Sequence, residues 1–122
     1  MCIRDSADSG GGIYLNECSV TLLECTLSGY ESTEQPSGGG GGIYAGYCSA
    51  LLIDDCIISN NTAYHGGAGL YIRDAVDFEI RNSTIENNAM TGTGHNGGGM
   101  LLWVGEYLIS NCIFSGLSLI HI

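Results

Sequence analysis

The chain has 122 residues, of which 13 are acidic and three basic, and its net charge is −10. It has no lysine, and Arg73 and Arg81 are the only cations beyond the first six residues. Nucleic acid and anionic membrane surfaces are therefore poor partners, and a phosphate loop of the G-x-x-x-x-G-K type and a Schiff-base lysine are excluded within this stretch.

No apolar run is long enough to span a bilayer. Twenty glycines would fit disorder, but apolar residues make up 44% of the chain and recur periodically, which fits one packed domain.

In chain order, the first segment is not read as structure. Residues 1–6 ("MCIRDS") and 117–122 ("LSLIHI") can be encoded by complementary strands of one short DNA sequence, which resembles the transposase mosaic-end adapter of sequencing libraries. Such scars are set aside in fold reasoning. The expectation is adapter-derived residues at 1–6 and 117–122 around a partial domain over 7–116. On this reading Met1 is not a true start, so the region of a signal peptide is not present.

Four similar units follow: "GGGIYLNECSVTLLECTLSG", "GGGIYAGYCSALLIDDCIISNN", "GAGLYIRDAVDFEIRNSTIENN" and "GGGMLLWVGEYLISNCIFSG". Their last cluster glycines are Gly12, Gly42, Gly69 and Gly99, at steps of 30, 27 and 30 residues. Self-similarity at that period marks a solenoid.

Each unit predicts three short strands with alternating apolar positions. The first strand places Ile13, Ile43, Leu70 and Met100 in one inward column, and Leu15, Ala45, Ile72 and Leu102 in the next. The second gives Val20, Leu51, Phe78 and Tyr107, then Leu22, Ile53, Ile80 and Ile109. A polar pair precedes the third strand, and its second position (Glu24, Asp55, Asn82, Asn111) suits a tight left-handed corner. The third strand gives Cys25, Cys56, Ser83 and Cys112, then Leu27, Ile58, Ile85 and Phe114. Three strands per unit imply a triangular coil, and stacked coils pair equivalent strands about 4.8 Å apart. Length varies between the third strand and the next glycine cluster, where loops are expected.

The pattern "GG-G-I/L-Y" followed by "I-x-N/D-x-C-x-I-x-N-N" resembles right-handed parallel β-helix repeats, the fold of pectate-lyase-like proteins and of many bacterial surface proteins. "IISNNTAYHGGAGL" is also similar to the FxxN and GGA[I/L/V] repeats of polymorphic outer-membrane autotransporters, with Ile58 in place of Phe, Asn61 matched, and a glycine inserted after Ala68. The resemblance implies an all-β, right-handed solenoid of about four coils, from a secreted or cell-surface protein.

Several motifs are weighed against plainer readings. "GTGHNG" (92–97) matches the dinucleotide fingerprint, but a strand rather than a helix follows, so it reads as a loop. "GGAGLYIRD" (66–74) has Tyr71 where the calcium nonapeptide needs Asp, and its glycines read as close approach between coils. Cys25, Cys56 and Cys112 share a column with Ser83, and Cys18 and Cys48 one with Ala75 and Gly105. That equivalence favours small buried thiols over disulfides or a metal set. His65 and His95 share a loop column with only Asp8 as a distant acid, short of a metal site. Asp54–Asp55 and Asp74/Asp77 read as corner residues, and the sequons at Asn60 and Asn82 as incidental. No cofactor and no metal are expected.

The outward columns of the first strand carry the functional expectation. One is Tyr14, Tyr44, Tyr71 and Leu101; the next is Asn16, Gly46, Arg73 and Trp103. Tyrosines also stack simply to stabilise sheets. As a ligand surface, Tyr14, Tyr44, Tyr71, Arg73 and Trp103 form a platform for sugar rings, and in pectate-lyase-like proteins this strand lines the substrate cleft.

The reading is a structural or adhesive module, or a glycan-contacting one, that uses this sheet face for glycan or protein contact, with polysaccharide or surface glycan as the expected partner. The alternative is the interior coils of a lyase or hydrolase acting on acidic polysaccharide, though the family's calcium cluster and catalytic basic residue match no position here. Self-association through uncapped terminal coils is expected.

Overall fold

A computed structural model describes residues 2–3, 6–7, 11–32, 39–92 and 97–116. Two short strands come first, β1 (Cys2–Ile3) and β2 (Ser6–Ala7). Coil one holds β3 (Ile13–Asn16), β4 (Ser19–Leu23), β5 (Thr26–Ser28) and β6 (Glu31–Ser32). Coil two holds β7 (Ile43–Gly46), β8 (Ala50–Asp54), β9 (Ile57–Ser59) and β10 (Thr62–Ala63). Coil three holds β11 (Leu70–Arg81), β12 (Thr84–Glu86) and β13 (Ala89–Met90), and the last rung β14 (Met100–Ser110) and β15 (Ile113–Ser115).

Coils pair in parallel at the period of the sequence repeat. Ile43 lies beside Ile13 and Leu70, and Leu70 beside Met100. The second-strand column runs Val20, Leu51, Phe78, Tyr107, and the third Leu27, Ile58, Ile85, Phe114. The result is an all-β parallel solenoid of about three turns, the fourth rung being incomplete among the described residues. β1 alone among the described strands pairs antiparallel, with Cys2 opposite Tyr14.

Two features differ from the three-strand triangle. First and second strands belong to one seven-stranded sheet, because β11 and β14 run unbroken through the first corner, with an irregularity between Ala75 and Phe78. A fourth column also exists: β6, β10 and β13, in the segment read as variable loop, form a parallel sheet of their own together with β2. Two-residue strands are too short to show an alternating pattern, so periodicity could not reveal them.

The corners are built from left-handed residues. At the second corner Glu24, Asp55, Asn82 and Asn111 have φ of 52°, 54°, 50° and 49°, as the polar pairs predict. The first corner does the same at Glu17, Tyr47 and Asp74, and the third at Gly29, Asn60, Asn87 and Gly116. Close approach between coils explains the glycine clusters: a Cβ on Gly42 would stand 2.7 Å from the Gly69 carbonyl oxygen of the next coil.

The inward columns close into one core. Ile43, Leu51, Ile53, Ile58, Leu70, Phe78, Ile80 and Ile85 are almost wholly buried. Asn61 and Asn88 are buried with them just past the third corner. Asn61 Nδ2 donates to Leu27 O at 3.1 Å and to Asn88 Oδ1 at 3.0 Å, while Asn61 Oδ1 accepts from Tyr30 N at 3.0 Å. Asn88 repeats the pattern one coil on, accepting from Asn61 N at 3.0 Å and donating to Ile58 O at 2.9 Å. The ladder satisfies main-chain groups that the corner turns into the interior.

Candidate functional site

The outward face of the first strand brings the predicted residues together, though not as a flat platform. Tyr14 and Tyr44 are in register, their ring centroids 5.1 Å apart and planes within 6°. Each ring thus turns a face to the other. Tyr71 meets Tyr44 edge-on at 5.3 Å, and its ring lies against Gly39, where a Cβ would overlap it. All three are half-buried, and Leu101, next in the column, is only 2% exposed. Burial, with the neighbouring phenols, pushes the Tyr44 hydroxyl above the usual phenol range; burial does the same at Tyr71.

The neighbouring column opens to solvent. Arg73 lies in register between Gly46 and Trp103. Its Nε donates to Asp74 Oδ2 at 3.1 Å, and its guanidinium carbon sits 5.5 Å from the centre of the Tyr47 ring. A carboxylate partner and an aromatic face therefore hold one planar cation, and the Asp74 bond raises its already high pKa further. Among the described residues both terminal nitrogens of Arg73 are left for another acceptor. Trp103 is 51% exposed and Tyr47 50%. Tyr47, Arg73 and Trp103, one from each of three successive coils, thus place two open aromatic rings beside a donor fork.

Sequence reasoning missed Tyr47. In the repeat alignment it shares the first-corner column with Glu17 and Asp74, so no aromatic column marks it. The available signal was a lone aromatic residue in a column that otherwise holds Glu17, Asp74 and Val104, beside the column that holds Arg73.

Other groups resolve into structure. Asp54 Oδ2 accepts from Arg81 Nε and its Oδ1 from Asn82 Nδ2, each at 2.9 Å, and Asn111 Nδ2 donates to Asn82 Oδ1 at 2.6 Å. These bonds, Asn82's first and Arg81's next, hold the Asp54 carboxyl below its ordinary range. The pair Asp54–Asp55 is therefore engaged in stacking the second corner. Among the described residues no group of three or more His, Cys, Asp or Glu is placed to hold a metal ion. His65 is half-buried; His95, Asp8 and most of "GTGHNG" lie outside the described residues. Cys18, Cys25, Cys48, Cys56 and Cys112 are free thiols. No described helix is long and apolar enough to cross a membrane.

The model of the right-handed β-helix region matches residues 5–122, nearly the whole chain. The chain belongs to the right-handed β-helix family. Its parallel sheets, polar corners and inward columns are those of a right-handed β-helix repeat protein. No curated protein and no solved structure matches it.

Proposed function

We propose that these coils are a glycan-contacting module of a secreted or surface-displayed right-handed β-helix protein. The observation that supports this most is Arg73, held by Asp74 and Tyr47 with its terminal nitrogens unused, beside exposed Trp103. A sugar presents apolar C–H faces and hydroxyl edges. Trp103 and the outer side of Tyr47 suit the faces, the Arg73 fork donates to hydroxyl or carboxylate oxygens, and Asp74 accepts from a hydroxyl. The stacked tyrosines act as the wall that fixes this edge. A net charge of −10 repels polyanions over distances of about a Debye length, so neutral polysaccharide is favoured over acidic.

The test is affinity electrophoresis of the chain through gels containing neutral or acidic polysaccharides. Retardation in a neutral gel is expected, with Trp103→Ala and Arg73→Ala each weakening binding by about tenfold, roughly 1.4 kcal/mol. Free migration in every gel, or retardation that both variants keep, overturns the proposal. New reducing ends or unsaturated uronates in the gel polysaccharide would point instead to interior coils of a hydrolase or lyase.

A further inference from the structure

The five free thiols among the described residues fall into two columns whose surroundings differ. In the third-strand column each thiol donates to the carbonyl two residues back: Cys25 to Leu23 O at 3.2 Å, Cys56 to Asp54 O at 3.3 Å and Cys112 to Ser110 O at 3.2 Å. Side chains of equivalent strand residues run parallel, which disfavours a bond between them. Cys48 makes a like but longer bond to Gly46 O at 3.6 Å, but Cys18 and Cys48 sit at the first corner, between strands, and their sulfurs are 3.4 Å apart. The corner backbones are themselves hydrogen-bonded, Ser49 N to Cys18 O at 3.0 Å and Val76 N to Cys48 O at 3.1 Å. The coils are thus locked at a spacing near 4.8 Å, inside the Cα range that a disulfide spans. The column then continues as Ala75 and Gly105, so among the described residues each sulfur faces one thiol partner only.

We propose that Cys18 and Cys48 are a redox-active pair that closes to a disulfide linking coils one and two. This inference stands apart from the glycan reading. With a small organic disulfide such as glutathione disulfide as oxidant, half-buried Cys18 attacks first. Its thiolate bonds to one glutathione sulfur and the other leaves as thiolate. Cys48 then loses its proton and attacks the Cys18 sulfur, and the second glutathione leaves. The two protons given up by the cysteines pass to the two leaving glutathione thiolates and two electrons pass to the oxidant, giving one protein disulfide and two glutathione thiols.

Burial, then the bond with Cys18, pushes the Cys48 thiol up to about 11, so the second step is slow at neutral pH and speeds up as pH rises. The bond would tie together positions 30 apart and fix the turn beside Tyr47.

The folded chain is treated with glutathione disulfide at mildly alkaline pH and weighed by mass spectrometry. A fall of about two mass units is expected, from the two thiol hydrogens. Digestion at Asp and Glu should yield peptide 18–24 joined to the one containing Cys48. Cys48→Ser should stop at a glutathione adduct on Cys18, and Cys56→Ser should still close. The oxidised chain should melt on the order of 10 °C above the reduced one, the return for closing a loop of this length. An unchanged mass, or a cross-link mapping to Cys25, Cys56 or Cys112, overturns the proposal. The peptide map uses the unsubstituted chain, so it decides the matter even where a serine variant folds poorly.

Discussion

The first and third corners of each coil solve one backbone problem in two ways. Both turn on left-handed residues, at Glu17, Tyr47 and Asp74 in one and at Gly29, Asn60 and Asn87 in the other. Past the third corner the same side chain recurs: Asn61 and Asn88 point inward and bond the coil below. At the first corner the side chains differ from coil to coil and Tyr47 projects outward, with Arg73 over its ring. Repetition is what a buried ladder needs, because each amide completes its neighbour's bonds. An open corner has no such demand and is free to carry a binding group.

The largest predicted effect breaks the sealed corner. Asn61→Ala would leave Tyr30 N and Leu27 O without their buried partner, and Asn88→Ala would do the same to Asn61 N and Ile58 O. Each should lower stability by about 2–4 kcal/mol, read as an earlier urea midpoint. A shift under about 0.5 kcal/mol would mean that water serves the corner as well as the ladder does.

A second contrast concerns the last rung. Phe78 is 1% exposed and Tyr107, one step along its column, 44%. Ile109 and Phe114 are only half-buried where Ile80 and Ile85 are sealed. In a solenoid each coil is buried by its neighbours. The chain as given should therefore self-associate through this rung with rising concentration, visible by light scattering. Tyr107→Lys with Phe114→Lys should reduce association; a strictly monomeric parent would refute it.

Smaller effects are expected at the open corner. Arg73→Ala and Trp103→Ala should each change stability by less than about 1 kcal/mol, since an exposed ion pair and an exposed ring contribute little. A larger loss in chemical denaturation would move these residues from binding to structure.

The smallest effect is an alkaline one. Cys48 titrates at about 11 in the folded chain, above its unfolded value, and Tyr44 and Tyr71 are shifted the same way. Their contribution is complete below the unfolded thiol pKa of about 8.5 and is lost as pH rises through the folded values. Melting temperature should fall between about pH 9 and 11, less so in Cys48→Ser. A flat profile would contradict the burial of these groups.

Much of this was legible in the sequence. The period, the strand columns and the left-handed second corner follow from residues such as Ile43, Leu70 and Asn82, because a repeat shows each inward position several times. What repetition does not mark stayed hidden. "NN" at 60–61 and 87–88 was visible as part of the repeat, with Asn61 matched to a family motif, but the pattern does not show that its second asparagine is buried. The two-residue strands Thr62–Ala63 and Ala89–Met90 are too short to alternate. Tyr14 and Tyr44 were legible as a stack but not as rings facing each other, and Tyr47 is an exception within its column. Functional positions on a repeat fold are departures from the repeat, so the same alignment that shows the fold conceals them.

The most direct test is hydrogen exchange of the folded chain with and without the neutral polysaccharide that retards it. The account predicts added protection confined to residues 44–49, 71–76 and 101–106, with the amides of 57–63 and 84–90 unchanged. Protection that appears at the third corner, or evenly along the solenoid, would contradict the division between a corner that holds the fold and a corner that binds.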